Sequence, residues 1–260
     1  MFLCNVKNFR HTHRPKKSSL VIGPPAIIEA MQSGQALDKI YLDIKAAGNE
    51  INEIKKLASQ NGIPISYVPV AKLNAFNITN HDGSVAQIAK VEYVNLQDII
   101  SFVTEKGETP LFLILDGITD IRNIGGIART AYCMGVQTII IPDKGVGALN
   151  EDAVLTSAGA LEKIPVCRVS SILKAVDELH LNGIKVYATE MQAAKSIIEM
   201  DFTEPCAIIV GSEDKGIYPA LLKACDEKIK IPMKGDFESL NVSVATGIIL
   251  FEVMKQRIKL

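Results

Sequence analysis

The chain has 260 residues, of which 48% are hydrophobic and 22% charged, a composition typical of a globular protein with a buried core. Its 28 Lys and Arg residues and 29 Asp and Glu residues give a formal net charge of −1, which argues against nonspecific nucleic-acid binding over the whole surface. No apolar run reaches the ~20 residues of a membrane span, and residues 1–17 lack the features of a secretory signal. We therefore expect a soluble, cytoplasmic protein.

The N-terminal residues 1–17 are basic and contain no acidic side chain. They predict a flexible arm, which either stays solvated or contacts phosphate. The five cysteines are scattered, odd in number and without metal-ligand spacing, so we expect small core residues in a reducing compartment and no metal site.

Short strand and helix signals alternate from Leu20 to Ala89 and predict a compact α/β domain, with bounds set at 18–92. A helix signal at Leu96–Phe102 and a charged, glycine-containing stretch follow, and residues 93–109 are interpreted as a linker. Residues 110–260 form the second predicted domain. Apolar strand runs alternate there with helical signals, which is typical of a parallel sheet covered on both faces, whose ligands bind at the carboxyl ends of the strands. The predicted strands are Leu111–Leu115, Val136–Ile141, Ile184–Ala188 and Ala207–Val210.

The first predicted strand of this second domain is followed by a polar segment that includes Asn123-Ile-Gly125-Gly126 and Arg129. Asn123 is expected to cap the following helix, while the two glycines allow another segment to approach its first turns. The pattern lacks the spacing of a dinucleotide-binding fingerprint, and the chain has no P-loop. Taken alone, Arg129 is more often a surface ion-pair partner.

Two further segments place polar groups at strand ends. Gly211-Ser-Glu213-Asp-Lys-Gly216 follows a buried strand, so Glu213 is either a ligand-side group or an ordinary helix-entry carboxylate. Ile231-Pro-Met233 precedes Ser239-Leu240-Asn241, which opens a helix that is apolar over most of its circumference. Such a helix is predicted to be buried in a core or a subunit interface, with Val244, Ile248 and Phe251 on one side.

In this order, the three segments resemble the motifs of the SpoU/TrmH family of S-adenosylmethionine-dependent RNA ribose 2′-O-methyltransferases. Earlier segments, among them Asp38-Lys-Ile-Tyr-Leu and Asn80-His-Asp-Gly-Ser-Val-Ala86, resemble the L30e-like substrate-binding domain of members that act on 23S ribosomal RNA. The resemblance covers about Leu20 to Arg257. It implies an α/β-knot (trefoil-knotted) catalytic domain, a homodimer formed through the knot, RNA as partner, and neither DNA nor a membrane.

The resemblance also implies the site residues. Arg129 corresponds to the catalytic arginine, and Asn123, Glu213, Ser239 and Asn241 surround it. The backbone at Thr189, Gly211, Ile231 and Leu240 is implied to hold S-adenosylmethionine. Two departures, Pro24-Pro25 and Asp82, lie in the RNA-binding half and leave the target nucleotide open. Transfer RNA as substrate, methylation of a base nitrogen, and an inactive RNA-binding or assembly factor are the alternatives.

Overall fold

The computed structural model describes residues 19–76, 78, 80–147, 149–235 and 239–258, so the predicted arm over 1–17 lies outside the described residues. The N-terminal domain has a mixed four-stranded sheet in the order β1-β4-β2-β3. Its elements are β1 (Leu20–Ile22), α1 (Pro24–Gln32), β2 (Leu37–Asp43), α2 (Asn49–Gln60), β3 (Ile65–Val68), α3 (Val70–Asn74) and β4 (Ser84–Ile88). Helices α1 and α2 pack on one face of this sheet, around Ile27, Ile40 and Ile54, which are completely buried.

The C-terminal domain has an eight-stranded sheet in the order β10-β12-β9-β11-β6-β7-β8-β5, and every recorded strand pair in it is parallel. The strands are β5 (Tyr93–Val94), β6 (Leu111–Asp116), β7 (Thr138–Pro142), β8 (Val166–Val169), β9 (Lys185–Thr189), β10 (Lys195–Ser196), β11 (Cys206–Gly211) and β12 (Glu227–Lys230). The helices are α4 (Leu96–Glu105), α5 (Ile121–Cys133), α6 (Glu151–Thr156), α7 (Ile172–Leu181), α8 (Pro219–Ala224) and α9 (Val242–Arg257).

Both faces of this sheet are covered, as the continuous apolar strands predict. Helices α5, α6 and α9 share one hydrophobic cluster with the sheet, and α4, α7 and α8 share the other. The α/β fold with a parallel sheet is therefore confirmed.

The last elements of the chain cross from one face of the sheet to the other. After β11 the chain passes to α8 on one face, continues through β12, and returns to α9 on the opposite face. The connection from β12 to α9 crosses near the end of β11, because the backbone N–H of Val242 reaches Glu213. This crossing lies where the family resemblance places the knot.

Two expectations need correction. Residues 93–109 are not a simple linker, because β5 extends the parallel sheet and α4 buries Leu96, Ile99, Ile100 and Val103 in the core of the C-terminal domain. Cys133 is exposed, whereas Cys167 and Cys206 are buried and burial raises the pKa of each thiol to about 11. Cys4 lies outside the described residues.

The single chain buries one side of α9, and the prediction that a subunit interface covers the rest stays a prediction. Ile249, Leu250 and Val253 lie in the core, while Val244, Ile248 and Phe251 are 52%, 39% and 53% exposed. Within the described residues, no helix combines the length and apolar character needed to cross a bilayer.

Candidate active site at the carboxyl ends of the strands

Four neighbouring strands end at one edge of the sheet. Gly211 at the end of β11 is paired with Asp116 at the end of β6, and Thr189 at the end of β9 is paired with Ile229. Ile231 follows β12 at the same edge. Thr189, Gly211 and Ile231 therefore lie at the ends of adjacent strands, where parallel sheets bind ligands.

Three predicted site residues form a closed hydrogen-bonded triangle at this edge. The Nδ2 group of Asn241 donates to Glu213 Oε1 at 2.6 Å and to Asn123 Oδ1 at 3.0 Å. Asn123 Nδ2 donates to the same Glu213 oxygen at 3.1 Å, and the backbone N–H of Val242 adds a bond at 3.3 Å. One carboxylate oxygen thus binds side chains from α5 and from the start of α9.

Asn241 also caps α9. Its Oδ1 accepts hydrogen bonds from Ser243 N at 3.0 Å and from Ser243 Oγ at 2.5 Å. Because an amide has one acceptor oxygen and one donor nitrogen, these bonds direct Nδ2 towards Glu213 and Asn123. Ser243, which the sequence analysis does not single out, therefore sets the orientation of a site residue; its place two residues after an Asn cap is the signal that could have identified it.

Asn123 does not cap α5, contrary to the sequence expectation. The helix begins two residues earlier and its cap is Asp120, whose carboxylate accepts from Arg122 N at 2.8 Å. Hydrogen bonds from Arg122 hold the pKa of Asp120 below its usual value. Because Asn123 lies inside the first turn, its side chain points to Glu213 instead of to the helix backbone.

The adjacent glycines of α5 allow two helices to pack closely beside the site. A Cβ on Gly125 would lie 2.7 Å from the side chain of Thr156 and 2.9 Å from the backbone nitrogen of Ser157. A Cβ on Gly126 would lie 3.3 Å from Ser243 Cβ. Gly125 therefore accommodates α6, while Gly126 accommodates α9 next to the residue that orients Asn241.

Arg129 lies on α5 six residues after Asn123, about 9 Å further along the helix axis. It is exposed, and within the described part of the chain it makes no hydrogen bond or ion pair. Among the described residues Glu213 forms no ion pair with Arg129, and its Oε1 atom is bound by the two asparagines instead. The guanidinium group is thus available to an anionic ligand.

Ser239 and Leu240 also stand apart from the triangle. Both are exposed, and Ser239 has no hydrogen-bond partner among the residues with described positions. Leu240 is 36% exposed and Met233, on the same connection between β12 and α9, is 41% exposed. This connection therefore presents apolar side chains to solvent beside a polar strand edge.

Known proteins resemble this chain over most of its length. Residues 110–251 match the model of the SpoU rRNA Methylase family, and residues 20–94 match the model described as RNA 2′-O ribose methyltransferase substrate binding. The TrmH family tRNA/rRNA methyltransferase YacO of Bacillus subtilis is 38% identical over 237 residues, which cover 91% of this chain and 95% of the relative. A TrmH family tRNA/rRNA methyltransferase of Staphylococcus aureus is 36% identical over 241 residues, covering 93% and 97%.

Solved structures show the same fold. The SpoU methyltransferase AviRb from Streptomyces viridochromogenes, crystallised with AdoMet, has a TM-score of 0.58 and 23% identity, over 92% of this chain and 90% of AviRb. The match to the SpoU rRNA Methylase model extends over the residues that form the triangle and over the helix of Arg129. The chain therefore belongs to the SpoU rRNA methylase family and is an RNA methyltransferase of the SpoU/TrmH type.

Proposed function

We propose that the protein transfers the methyl group of S-adenosylmethionine to a ribose 2′-hydroxyl of RNA, with 23S ribosomal RNA as the favoured substrate. The observation that supports this most directly is the triangle of Asn123, Glu213 and Asn241 at the carboxyl edge of the sheet. It places three polar groups of fixed orientation beside the helix that bears the exposed Arg129.

The residues at this edge fit S-adenosylmethionine. The backbone at Thr189, Gly211, Ile231 and Leu240 is the proposed binding surface for the cofactor. The exposed side chains of Met233 and Leu240 offer apolar area for an adenine ring, and backbone groups at strand ends can bond its polar edge. When bound there, the cofactor would supply an electrophilic methyl group on a sulfonium.

The proposed role of Arg129 follows from the chemistry of a guanidinium group. Arginine keeps its proton at neutral pH and is therefore a poor general base. It is well suited to bind a phosphate beside the target ribose and to stabilise negative charge that develops on the 2′ oxygen. Asn123 and Asn241 orient the reacting groups, Ser239 contacts the ribose or the cofactor, and the proton leaves to a neighbouring phosphate or water.

The substrate preference rests on the N-terminal domain. Residues 20–94 match a substrate-binding model, and the L30e-like resemblance favours 23S ribosomal RNA over transfer RNA. The curated relatives are named for both RNA types, so transfer RNA is the second candidate. Action on ribosomal RNA also implies a cytoplasmic location.

The exposed side of α9 supports a homodimer. Val244, Ile248 and Phe251 are spaced by four and three residues, so they form one apolar stripe. A second copy of the same helix provides a complementary surface by two-fold symmetry, which is the usual arrangement of homodimers. We therefore infer that two chains associate through α9.

The decisive test is methylation of ribosomal RNA from cells that lack the gene. Purified protein and labelled S-adenosylmethionine should produce alkali-resistant linkages, because a 2′-O-methyl group blocks cleavage of the adjacent phosphodiester bond. Label on a base nitrogen would contradict the assignment of the ribose 2′-hydroxyl as the methyl acceptor. Label on transfer RNA alone would contradict the assignment of ribosomal RNA as the substrate. Failure to bind S-adenosylmethionine in a titration would favour an inactive RNA-binding or assembly factor.

Arg129→Ala tests the catalytic assignment within the same assay. Loss of a group that stabilises transition-state charge typically lowers the rate by about 10²–10³-fold. Arg122→Ala is the matched control, since it removes an exposed arginine from the same helix. Equal activity of the two variants would contradict the role of Arg129.

A further inference from the structure

The two domains share little packing. Val91, which follows the four-stranded sheet, is buried in the core of the parallel-sheet domain, and within the described part of the chain no hydrophobic cluster joins residues 19–90 to that domain. A cleft of about 540 Å³ separates the ends of α1 and α2 from β5 and Arg168. Domains joined by a small polar interface move relative to one another unless a specific contact holds them.

One polar cluster provides such a contact, and we call the side chains of Asp38, Tyr93 and Arg168 the interdomain latch. Arg168 Nη1 donates to the backbone oxygen of Asp38 at 2.6 Å, and Nη2 contacts both the Asp38 carboxylate and the Tyr93 hydroxyl. The Tyr93 hydroxyl donates to Asp38 Oδ1 at 2.7 Å. The guanidinium carbon also lies 3.7 Å from the centre of the Tyr93 ring.

The latch joins elements from both domains. Asp38 belongs to β2, whereas Tyr93 and Arg168 belong to the paired strands β5 and β8. Among the described residues, every hydrogen bond and ion pair found between residues 19–90 and a side chain of the C-terminal domain involves Asp38. The interface therefore depends on one residue of the N-terminal domain.

The two charged side chains of the latch are largely buried. The side chains of Arg168 and Asp38 are 10% and 14% exposed, so removing either partner leaves a charge in a poorly solvated position. The planar guanidinium group of Arg168 contacts a backbone oxygen, a carboxylate and an aromatic ring at the same time. Together these contacts fix its orientation as well as its distance from each partner. A lysine could not make all three contacts together.

We propose that Arg168 is a positioning residue, which holds the N-terminal domain in the orientation that presents bound RNA to the methyl-transfer site. The inference rests on the proposed function, because it assumes that the N-terminal domain binds the RNA. Arg168 lies on β8, away from the triangle formed by β11, α5 and α9, so it acts on the reaction only through domain orientation.

The test compares Arg168→Gln, Asp38→Asn and Arg168→Lys in the full chain. Lys195→Gln is the control, since it breaks an exposed ion pair with Glu227 inside the C-terminal domain. Small-angle X-ray scattering measures the separation of the domains, titration measures affinity for S-adenosylmethionine, and steady-state assays on ribosomal RNA give kcat and KM. We expect Arg168→Gln to broaden the distance distribution and to lower kcat/KM for RNA by about 10–100-fold, because displacement of a bound substrate by ångströms has effects of this size.

Affinity for S-adenosylmethionine should stay at the wild-type value in all four proteins. Asp38→Asn and Arg168→Lys should give intermediate effects, and Lys195→Gln none. Unchanged scattering, or an unchanged kcat/KM for RNA, would overturn the proposal. So would a parallel loss of cofactor affinity, which would indicate general damage to the fold. If the wild-type protein methylates no ribose, the proposed function fails, while the scattering comparison still decides whether the latch orients the domains.

Discussion

At the scale of single residues, the site is organised by Glu213. Its Oε1 atom accepts hydrogen bonds from two asparagine side chains and from the first backbone N–H of α9. The carboxylate thereby fixes the position of groups that face the substrate, instead of reacting itself. The motif pattern identified Glu213, but not this role, because the three donors come from segments about 90 and 30 residues away in sequence.

Two substitutions of Glu213 distinguish its role in positioning the asparagine side chains from a role of its negative charge. Glu213→Gln keeps an oxygen that can accept the same three bonds, so it should retain most of the wild-type rate of methyl transfer. Glu213→Ala leaves both asparagine amides without this partner and should lower the single-turnover rate on the order of 10²-fold. Equal loss in the two variants, measured with labelled cofactor, would show that the charge is required.

The two glycines of α5 give a matched pair of predictions with different outcomes. Gly125→Ala forces Cβ against the backbone of Ser157 and should destabilise the protein by about 1–3 kcal/mol in urea unfolding. Gly126→Ala should leave stability nearly unchanged, because the helix propensity of alanine offsets a mild contact with Ser243. It should still lower methyl transfer, since Ser243 orients Asn241. A lower free energy of unfolding for Gly126→Ala than for Gly125→Ala would contradict this explanation.

At the scale of elements, α9 is bound at both ends. Its first turn is held by Asn241 and Glu213, and its last turn by Arg257. The Arg257 guanidinium donates to the backbone oxygens of Thr109, Pro110, Phe202 and Glu204 at 2.8–3.0 Å. These oxygens lie before β6 and β11, so α9 spans the sheet from its amino edge to its carboxyl edge.

Loss of the hydrogen bonds of Arg257 should lower the stability of the protein. Arg257→Ala leaves four carbonyl oxygens without their charged donor, and we expect a loss of about 2–4 kcal/mol in the free energy of unfolding. Arg122→Ala is the control, since its pair with Asp120 is exposed to solvent and should contribute little to stability. Urea denaturation followed by circular dichroism measures both, and similar midpoints would contradict the prediction.

At the scale of the whole molecule, the sequence pattern predicted four of the eight described strands of the parallel sheet, namely β6, β7, β9 and β11, because these strands are continuous apolar runs. The predicted strands Leu111–Leu115 and Ala207–Val210 lie within β6 and β11. Strand β8 was missed because four residues containing Arg168 give too little pattern. The latch could not be predicted, because Asp38 and Arg168 are 130 residues apart and Arg168 belongs to none of the segments that carry the family resemblance.

Association of two chains can be tested on the exposed stripe of α9. Phe251→Glu places a charge in the inferred interface and should convert a dimer into a particle of 28.2 kDa in sedimentation equilibrium. Phe102→Glu is a closely matched control, since Phe102 on α4 is 52% exposed and Phe251 is 53% exposed. If both variants keep the wild-type mass, α9 is not the interface.

The absence of a hydrophobic cluster shared by the described parts of the two domains makes the molecule modular. A different RNA-recognition unit could be fused ahead of Val91 without repacking the catalytic core, because the described apolar side chains of residues 19–90 form clusters of their own. Only the partner of Arg168 would have to be rebuilt on the incoming unit. The same catalytic half could then be directed to a new RNA by exchanging about ninety residues and restoring one carboxylate.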